Sequence, residues 1–519
     1  MLSFLLHFVL LVVLQVFNAD AARILAIYPT PSISHQIAFR PITEELIKRG
    51  HEVVVVTTDP IYPKGQAPKN LTEIDLHDMA YSTWQEALLS SKMNEDPFSQ
   101  MEAMNGVFMK VMDQILSHQE VKKLIEGKDK FDLLLTELLA RMFLAFTPIY
   151  KVPSIQISSF GAIHGNYETL GAPGHPFLYP SSLHRKINNL TMFGKLDALY
   201  FNYRLDRFLS NSVVMENKLI QKHFPPSTPP TAELEKSVDM VFLNINPLWE
   251  GIRPVPPNVI HMGGLPPRPE KPLPAELEAY LNASENGVIY ISFGTNVKTS
   301  LIPPEVLKEM VAALSKLPYN VLWKWDSDEL PGKSSNIKIS KWLPQSDLLK
   351  HRNIKLFVTQ GGLQSTDETL VAGVPAVIIP MLGDQWFNAE RYEYYKIGIK
   401  LEAIDINEES FTKAIKTVIE DKSYRENIIK LRNRMYDQPQ KPLERAMWWI
   451  EYVMRHGGAK HLRSPAAFIT WREYLELDLV AVVLSVLISI ILVIVAVLYQ
   501  IYKLVKSKPV GAKAKVKKN

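Results

Sequence analysis

The chain has 519 residues, of which 47% are hydrophobic and 22% charged, and its formal net charge at pH 7 is +4. This is a globular composition with room for two or three domains, and it excludes a disordered or fibrous protein. Seven lysines fall in the last 17 residues (Lys503, Lys506, Lys508, Lys513, Lys515, Lys517 and Lys518), so the rest of the chain is slightly acidic and no nucleic-acid partner is expected. With no cysteine, disulfides, thiolate chemistry and cysteine-ligated zinc are excluded too.

Residues 1–21 read as a signal peptide: Phe8 to Leu14 is an unbroken apolar run, and Ala19-Asp20-Ala21 fits a small-x-small cleavage pattern. Arg23 to Tyr28 reads as a strand, Gln36 to Arg49 as a helix ended by Gly50, and Glu52 to Thr57 as a second strand. That order opens a doubly wound parallel sheet, which Phe131 to Thr136, Ser154 to Ser158 and Asp239 to Asn244 continue. Helical tracts between them carry Met93, Met101, Met104, Phe108, Met109 and Met112, then Phe160, Tyr167, Phe177 and Tyr179. Adaptable apolar side chains of this kind suit a pocket for varied lipophilic guests, and equally an ordinary core.

Five prolines between Pro266 and Pro274 cannot enter a helix or a central strand, so residues 263–275 read as a stiff linker after a first domain at 22–262. A second domain, 276–440, begins with the strand Val288 to Ser292. It continues with Asn320 to Lys324, Ile337 to Ser340, Ile354 to Val358 and Ala376 to Met381. Helical patterns follow at Ser410 to Glu420 and Leu443 to Arg455, and residues 441–476 lead toward a membrane. Leu479 to Leu498 has no charge in twenty residues, so 477–502 is expected to be one transmembrane helix and 503–519 a cytosolic tail. The lysines after it predict single-pass type I topology with the body on the other side of the membrane. Lys515 and Lys517, fifth and third from the end, resemble a dilysine retrieval signal of the endoplasmic reticulum. Asn70, Asn189 and Asn282 head glycosylation sequons.

The densest chemistry lies between Phe357 and Gln385. A buried strand runs into Gln360-Gly361-Gly362, a helix is expected to open near Ser365, and Gly373-Val374-Pro375 stops it. Glycines let the backbone approach a ligand and a helix N-terminus offers free N–H groups to an anion, so a phosphate is the expected guest. Gln364 and Ser365 add side-chain donors there, and Glu368, expected inside the helix's first turn, is placed for ribose hydroxyls. Asp384 and Gln385 end the next strand, where open α/β sheets bind ligands, and can accept from and donate to sugar hydroxyls. Ser292-Phe293-Gly294-Thr295, after the second domain's first strand, offers a second anion-binding turn. His35 follows the chain's first strand in a proline-rich loop, and imidazole near neutral pH can take a proton. Asp326-Ser327-Asp328 has the spacing of a metal pair, yet its polar setting reads as a solvated loop, so no metal is expected.

The stretch from Lys341 to Gln385 resembles the signature of the UDP-glycosyltransferase family, the UDP-glucuronosyl- and glucosyltransferases. Gln360 stands where vertebrate and plant members usually have His, and in this the chain is more similar to invertebrate-type, membrane-anchored members. The resemblance implies the α/β GT-B fold: two Rossmann-like domains facing a cleft, plus the C-terminal transmembrane helix. It implies that Trp342 stacks on uracil, that Gln345 meets the nucleoside and that Gln360 donates to the diphosphate. The family's catalytic base precedes a helix ending in Arg-Gly-His, here Arg49-Gly50-His51, which assigns that role to His35. Its carboxylate partner falls on Glu137, where the family has Asp. Asp132, at the start of the same strand, should lie at the wrong end.

The expected activity is inverting transfer of a hexose from a UDP-sugar to a hydroxyl of a small lipophilic acceptor. Resemblance to invertebrate members favours UDP-glucose, and the UDP-sugar is a substrate, so no cofactor is expected. The expected place is the endoplasmic reticulum membrane, with the catalytic body in the lumen. A transferase acting on membrane lipids and a non-catalytic carrier of hydrophobic ligands are the alternative readings, and a homo-oligomer is left open.

Overall fold

The computed structural model describes residues 21–90, 97–264, 270–294 and 302–507. Residues 1–20 of the expected signal peptide, Met93, Thr295, most of the linker prolines and the end of the lysine tail lie outside the described residues.

Two parallel sheets dominate. The first holds β1 (Arg23–Tyr28), β2 (Glu52–Thr57), β3 (Leu71–Asp75), β4 (Leu133–Glu137), β5 (Ser154–Ser158), β6 (Met240–Leu243) and β7 (Val259–His261). Their order across the sheet is β3-β2-β1-β4-β5-β6-β7. The second holds β8 (Val288–Ser292), β9 (Asn320–Lys324), β10 (Ile337–Ser340), β11 (Ile354–Thr359), β12 (Ala376–Ile378) and β13 (Gly398–Lys400), in the order β10-β9-β8-β11-β12-β13. Most strands are near-continuous apolar runs buried on both faces, such as the four valines of β2 and Val288-Ile289-Tyr290-Ile291 of β8. A parallel sheet covered by helices on both sides requires that pattern. The short strands β3, β7 and β13 carry too weak an apolar signal to be read from sequence.

In both sheets the chain winds outward from the first strand and then returns to that strand's other side. The reversal falls between β1 and β4 in the first sheet and between β8 and β11 in the second. The carboxyl ends of strands flanking such a switch point open a crevice in which ligands bind. His35 and Glu137 follow β1 and end β4, while Gly294 and Gln360 follow β8 and β11.

The first helix, α1 (Ile33–Lys48), begins three residues earlier than its sequence suggests. Ser32 has extended backbone and sits at the N-cap, a position serine favours, so His35 lies in the first helical turn and not in the preceding loop. Gln36, buried, fixes the entry: its Nε2 donates to the carbonyls of Tyr28 (2.9 Å) and Thr30 (3.2 Å), and its Oε1 accepts from Thr57 Oγ1 (3.1 Å). β4 runs to Glu137, one residue beyond the expected end, whereas β12 stops at Ile378, short of Met381.

Other helices that shape the site are α2 (Pro247–Glu250), α3 (Gln345–Leu349), α4 (Leu363–Ala372), α5 (Gln385–Tyr394) and α6 (Pro442–His456). The last returns to the first domain. Its Ala446, Met447, Ile450 and Val453 pack in one cluster with Ile24, Ala26, Phe39 and Ile42, and Glu451 pairs with Arg49 at 2.6 Å. Of the sequon asparagines, Asn189 and Asn282 are exposed, while Asn70 Nδ2 is held by the carbonyls of Ile47 (2.8 Å) and His51 (2.9 Å).

Residues up to Ser464 form one compact unit, and residues from Pro465 a second. Within the second, α7 (Leu477–Lys506) has thirty residues and buries none of its side chains. At 1.5 Å per residue it is about 45 Å long, ample for the roughly 30 Å hydrocarbon core of a bilayer.

Candidate active site

The first-domain half of the site is a paired imidazole and carboxylate. His35 Nδ1 lies 2.8 Å from Glu137 Oε1, and Glu137 Oε2 accepts the backbone N–H of Thr30 at 3.2 Å. Glu137 is 1% exposed, so both its oxygens face protein donors. A carboxylate only accepts, hence Nδ1 carries the proton and the opposite ring nitrogen, Nε2, is left as a base. The ring keeps partial exposure, and the edge of Phe160 packs against it with ring centres 5.7 Å apart. Asp132 sits at the far end of β4, where its Oδ2 accepts from the Arg23 N–H at 2.7 Å.

The second-domain half gathers around the Gly-Gly turn. Gly361 has φ +83°, and a Cβ there would lie 2.6 Å from the Ile378 side chain, so only glycine fits. Gly362 has ordinary extended backbone as the N-cap of α4. That helix opens at Leu363, two residues before the expected Ser365. Gln364 and Ser365 therefore lie within its first turn, and Glu368 falls in the second turn instead of the first. The turn glycines leave the N-terminus free for an anion, and Leu363, not Ser365, satisfies the apolar packing that starts the helix.

Gln345 joins two other residues singled out by sequence, Ser365 and Glu368, to Tyr290. Its Nε2 donates to Ser365 Oγ at 3.1 Å and Glu368 Oε2 at 2.6 Å, and its Oε1 accepts from Tyr290 at 3.0 Å. Trp342 is 67% exposed, offering a free face, and Lys324 Nζ lies 5.0 Å from its ring centre. Lys324 also donates to the Gly294 carbonyl at 2.7 Å, and burial pushes its ammonium below the ordinary lysine value. Gly294 has φ +77°, and a Cβ there would meet Gln360 Nε2 at 2.4 Å, so the two switch-point turns of this sheet touch. Gln360 is 8% exposed with its Oε1 buried and unpartnered among the described residues; Ser292 Oγ is in the same condition.

Asp384 caps α5. Its Oδ2 accepts from Asn388 Nδ2 at 2.9 Å; burial pushes the carboxyl up from its ordinary range, and the Asn388 bond acts in the opposite sense. Gln385 Oε1 accepts from the N–H groups of Met381 (2.7 Å) and Leu382 (2.8 Å), which turns its NH₂ away from that loop. Asp326-Ser327-Asp328 lies apart, with exposed Asp328 paired to Lys341 at 2.7 Å. Sequence reasoning passed over Lys324, Tyr290 and Asn388. Lys324 ends a strand at the ligand-binding edge, and Asn388 stands one helical turn after Asp384, so position could have flagged both.

Comparison with known proteins places this arrangement. Two solved structures share the architecture: a glycotransferase of kitacinnamycin (TM-score 0.59, 18% identity, covering 84% of this chain and 100% of that one) and a UDP-glucose:anthocyanidin 3-O-glucosyltransferase in complex with UDP (TM-score 0.58, 15% identity, covering 83% and 99%). Two facing parallel sheets of this kind are the GT-B glycosyltransferase fold. The model of the family described as UDP-glucoronosyl and UDP-glucosyl transferase matches residues 23–511, and the chain belongs to that family. Among similar proteins are the ecdysteroid UDP-glucosyltransferase of Spodoptera littoralis nuclear polyhedrosis virus (33% identical, covering 91% of this chain and 96% of that protein) and the human UDP-glucuronosyltransferase 1A9 (31% identical, 91% and 90%). The protein is accordingly a transferase that uses a UDP-sugar donor.

Proposed function

We propose that the protein transfers glucose from UDP-glucose to a hydroxyl of a small lipophilic acceptor, with inversion at the anomeric carbon. His35 Nε2 takes the acceptor's proton, the freed oxygen bonds to the sugar's C1, and the C1–O bond to UDP breaks, its electron pair leaving with UDP. Glu137 holds the ring in the Nδ1–H tautomer and stabilises the imidazolium that forms. The departing diphosphate faces the α4 N-terminus beyond Gly361 and Gly362, where N–H groups are aimed in advance of the charge that develops. Gln360, Gly294 and the second turn, with Ser292, complete the diphosphate cradle. Trp342 stacks on uracil, Gln345 and Glu368 hold the nucleoside, Gln364 and Ser365 meet phosphate, and Asp384 and Gln385 take the sugar hydroxyls.

The observation that carries this reading is the 2.8 Å His35–Glu137 contact, which orients the ring and leaves Nε2 as the base. The viral relatives' name specifies an ecdysteroid acceptor, which is in keeping with a lipophilic acceptor here. The apolar α7 and the lysines behind it support a single-pass anchor in the endoplasmic reticulum membrane with the catalytic body in the lumen, where Asn189 and Asn282 are open to glycosylation and detoxifying conjugation would take place. Membranes carrying the protein, given labelled UDP-glucose, UDP-galactose or UDP-glucuronate and a panel of phenols, steroids and lipids, should form glucosides of small lipophilic acceptors. Transfer confined to membrane lipids, or none from any donor, would contradict it.

A further inference from the structure

Helix α5 begins at the sugar-facing pair Asp384-Gln385, yet much of its length is bound to the other domain. Glu390 Oε2 accepts the N–H groups of Ile187 and Asn188, both at 3.3 Å. Arg391 donates to the Leu248 carbonyl at 2.8 Å, and the Tyr395 hydroxyl just beyond the helix donates to the same oxygen. At the centre is Asn388, 1% exposed. Its Oδ1 accepts from the indole N–H of Trp249 in α2 at 2.9 Å; its Nδ2 donates to the Gly361 carbonyl at 2.8 Å and to Asp384 Oδ2 at 2.9 Å. The amide orientation is forced by its partners, because indole only donates whereas a carbonyl and a carboxylate only accept. Every strong hydrogen-bonding direction of the amide but one lone pair is thereby used. Trp249, itself 1% exposed, is walled in by Tyr392 and Tyr395, with ring centres 5.3 and 6.1 Å away.

We propose that Asn388 is a positioning residue for the donor sugar: anchored on the Gly361 carbonyl, it sets the Asp384 carboxylate in one geometry, and only while Trp249 of the acceptor domain is docked against it. The sugar end of the donor site is then assembled by the interdomain contact, whereas the uracil end, built from Trp342, Gln345 and Glu368, belongs to the second domain alone. A fully buried amide satisfied on three sides has no low-energy alternative rotamer, and removing one partner leaves a dry polar atom unpaired. The loss is therefore transmitted to Asp384 and does not relax into solvent. The inference rests on the reading of Asp384 as a sugar ligand.

The test uses purified full-length protein in detergent, with calorimetric affinities for UDP and for UDP-glucose. Trp249→Phe keeps a buried ring and deletes only the N–H donor. Affinity for UDP-glucose should fall about ten-fold, the effect of one buried hydrogen bond, while that for UDP changes by less than about two-fold. Combined with Asp384→Asn, Trp249→Phe should add little further loss, because it acts through that carboxylate. Asn388→Asp, which keeps the shape but turns the donor toward Asp384 into an acceptor, should give the same selective loss should Trp249→Phe not fold. Equal losses for UDP and UDP-glucose, or additive losses in the double variant, would overturn the coupling. An Asp384→Asn protein with unaltered UDP-glucose affinity would instead overturn the sugar-site assignment beneath it.

Discussion

Glu137, the last residue of β4, holds His35, the third residue of α1, through a 2.8 Å contact between Oε1 and Nδ1. The two strands concerned are neighbours in the sheet although more than a hundred residues separate the side chains, so the switch point of the winding brings them together. A glutamate reaches where a shorter aspartate would have to come from a closer backbone, and its second oxygen is tied to Thr30, which fixes the carboxylate plane. Replacing Glu137 by Gln keeps the shape but offers an amide that can donate to Nδ1 and so stabilise the wrong tautomer. We expect turnover to fall by about 10²–10⁴-fold with UDP affinity unchanged, measured by steady-state kinetics beside calorimetry.

Trp342 is 67% exposed, so removing its ring costs the fold little. Trp342→Ala should weaken UDP binding by about 1–3 kcal/mol, the worth of one base stacked on an aromatic ring, and leave the melting temperature unchanged. A variant that bound UDP normally would move uracil elsewhere.

Gln360 cannot carry a positive charge, and its amide is packed against Gly294 at the turn. Donor affinity of the native chain should therefore owe nothing to titration of residue 360. Gln360→His should add a component that tightens binding as pH falls through about 6.5, because the imidazolium then faces the diphosphate. Titration of UDP-glucose affinity from pH 5.5 to 8 in both proteins checks this.

Asp367, beside Glu368 on α4, is pushed up to about 7 by burial and then by the Glu368 charge. As pH rises from the unfolded carboxylate range of about 4 toward 7, the unfolded chain releases this proton before the folded one does, so the group lowers stability over that window and by a constant amount above it. Asp367→Asn should melt at the same temperature as wild type near pH 4 and a few degrees higher at pH 8. Equal melting temperatures at both pH values would show that Asp367 ionises freely in the folded chain.

Long apolar strands, the glycine-bearing turn and the membrane-length helix were legible because each depends on local chemistry. β1, β2, β5, β8, β9 and β10 have the bounds that their residues suggest. Helix starts were less so: α1 and α4 open two or three residues early because Ser32 and Gly362 serve as N-caps, a role that depends on extended backbone and not on residue type alone. Glu137 could be named only through resemblance, since nothing local marks the end of β4 as the neighbour of β1. The return of α6 onto the first domain, and the bridge from Trp249 to Asn388, join residues more than a hundred positions apart, and no periodicity encodes them.

The central claim is that the imidazole of the first domain does the proton transfer on a sugar held by the second. Full-length His35→Ala protein, assayed for glucoside formation and for UDP-glucose affinity in the same preparation, tests it most directly. The account predicts transfer reduced by at least about 10²-fold with donor affinity preserved; turnover at the wild-type rate in that protein would contradict it.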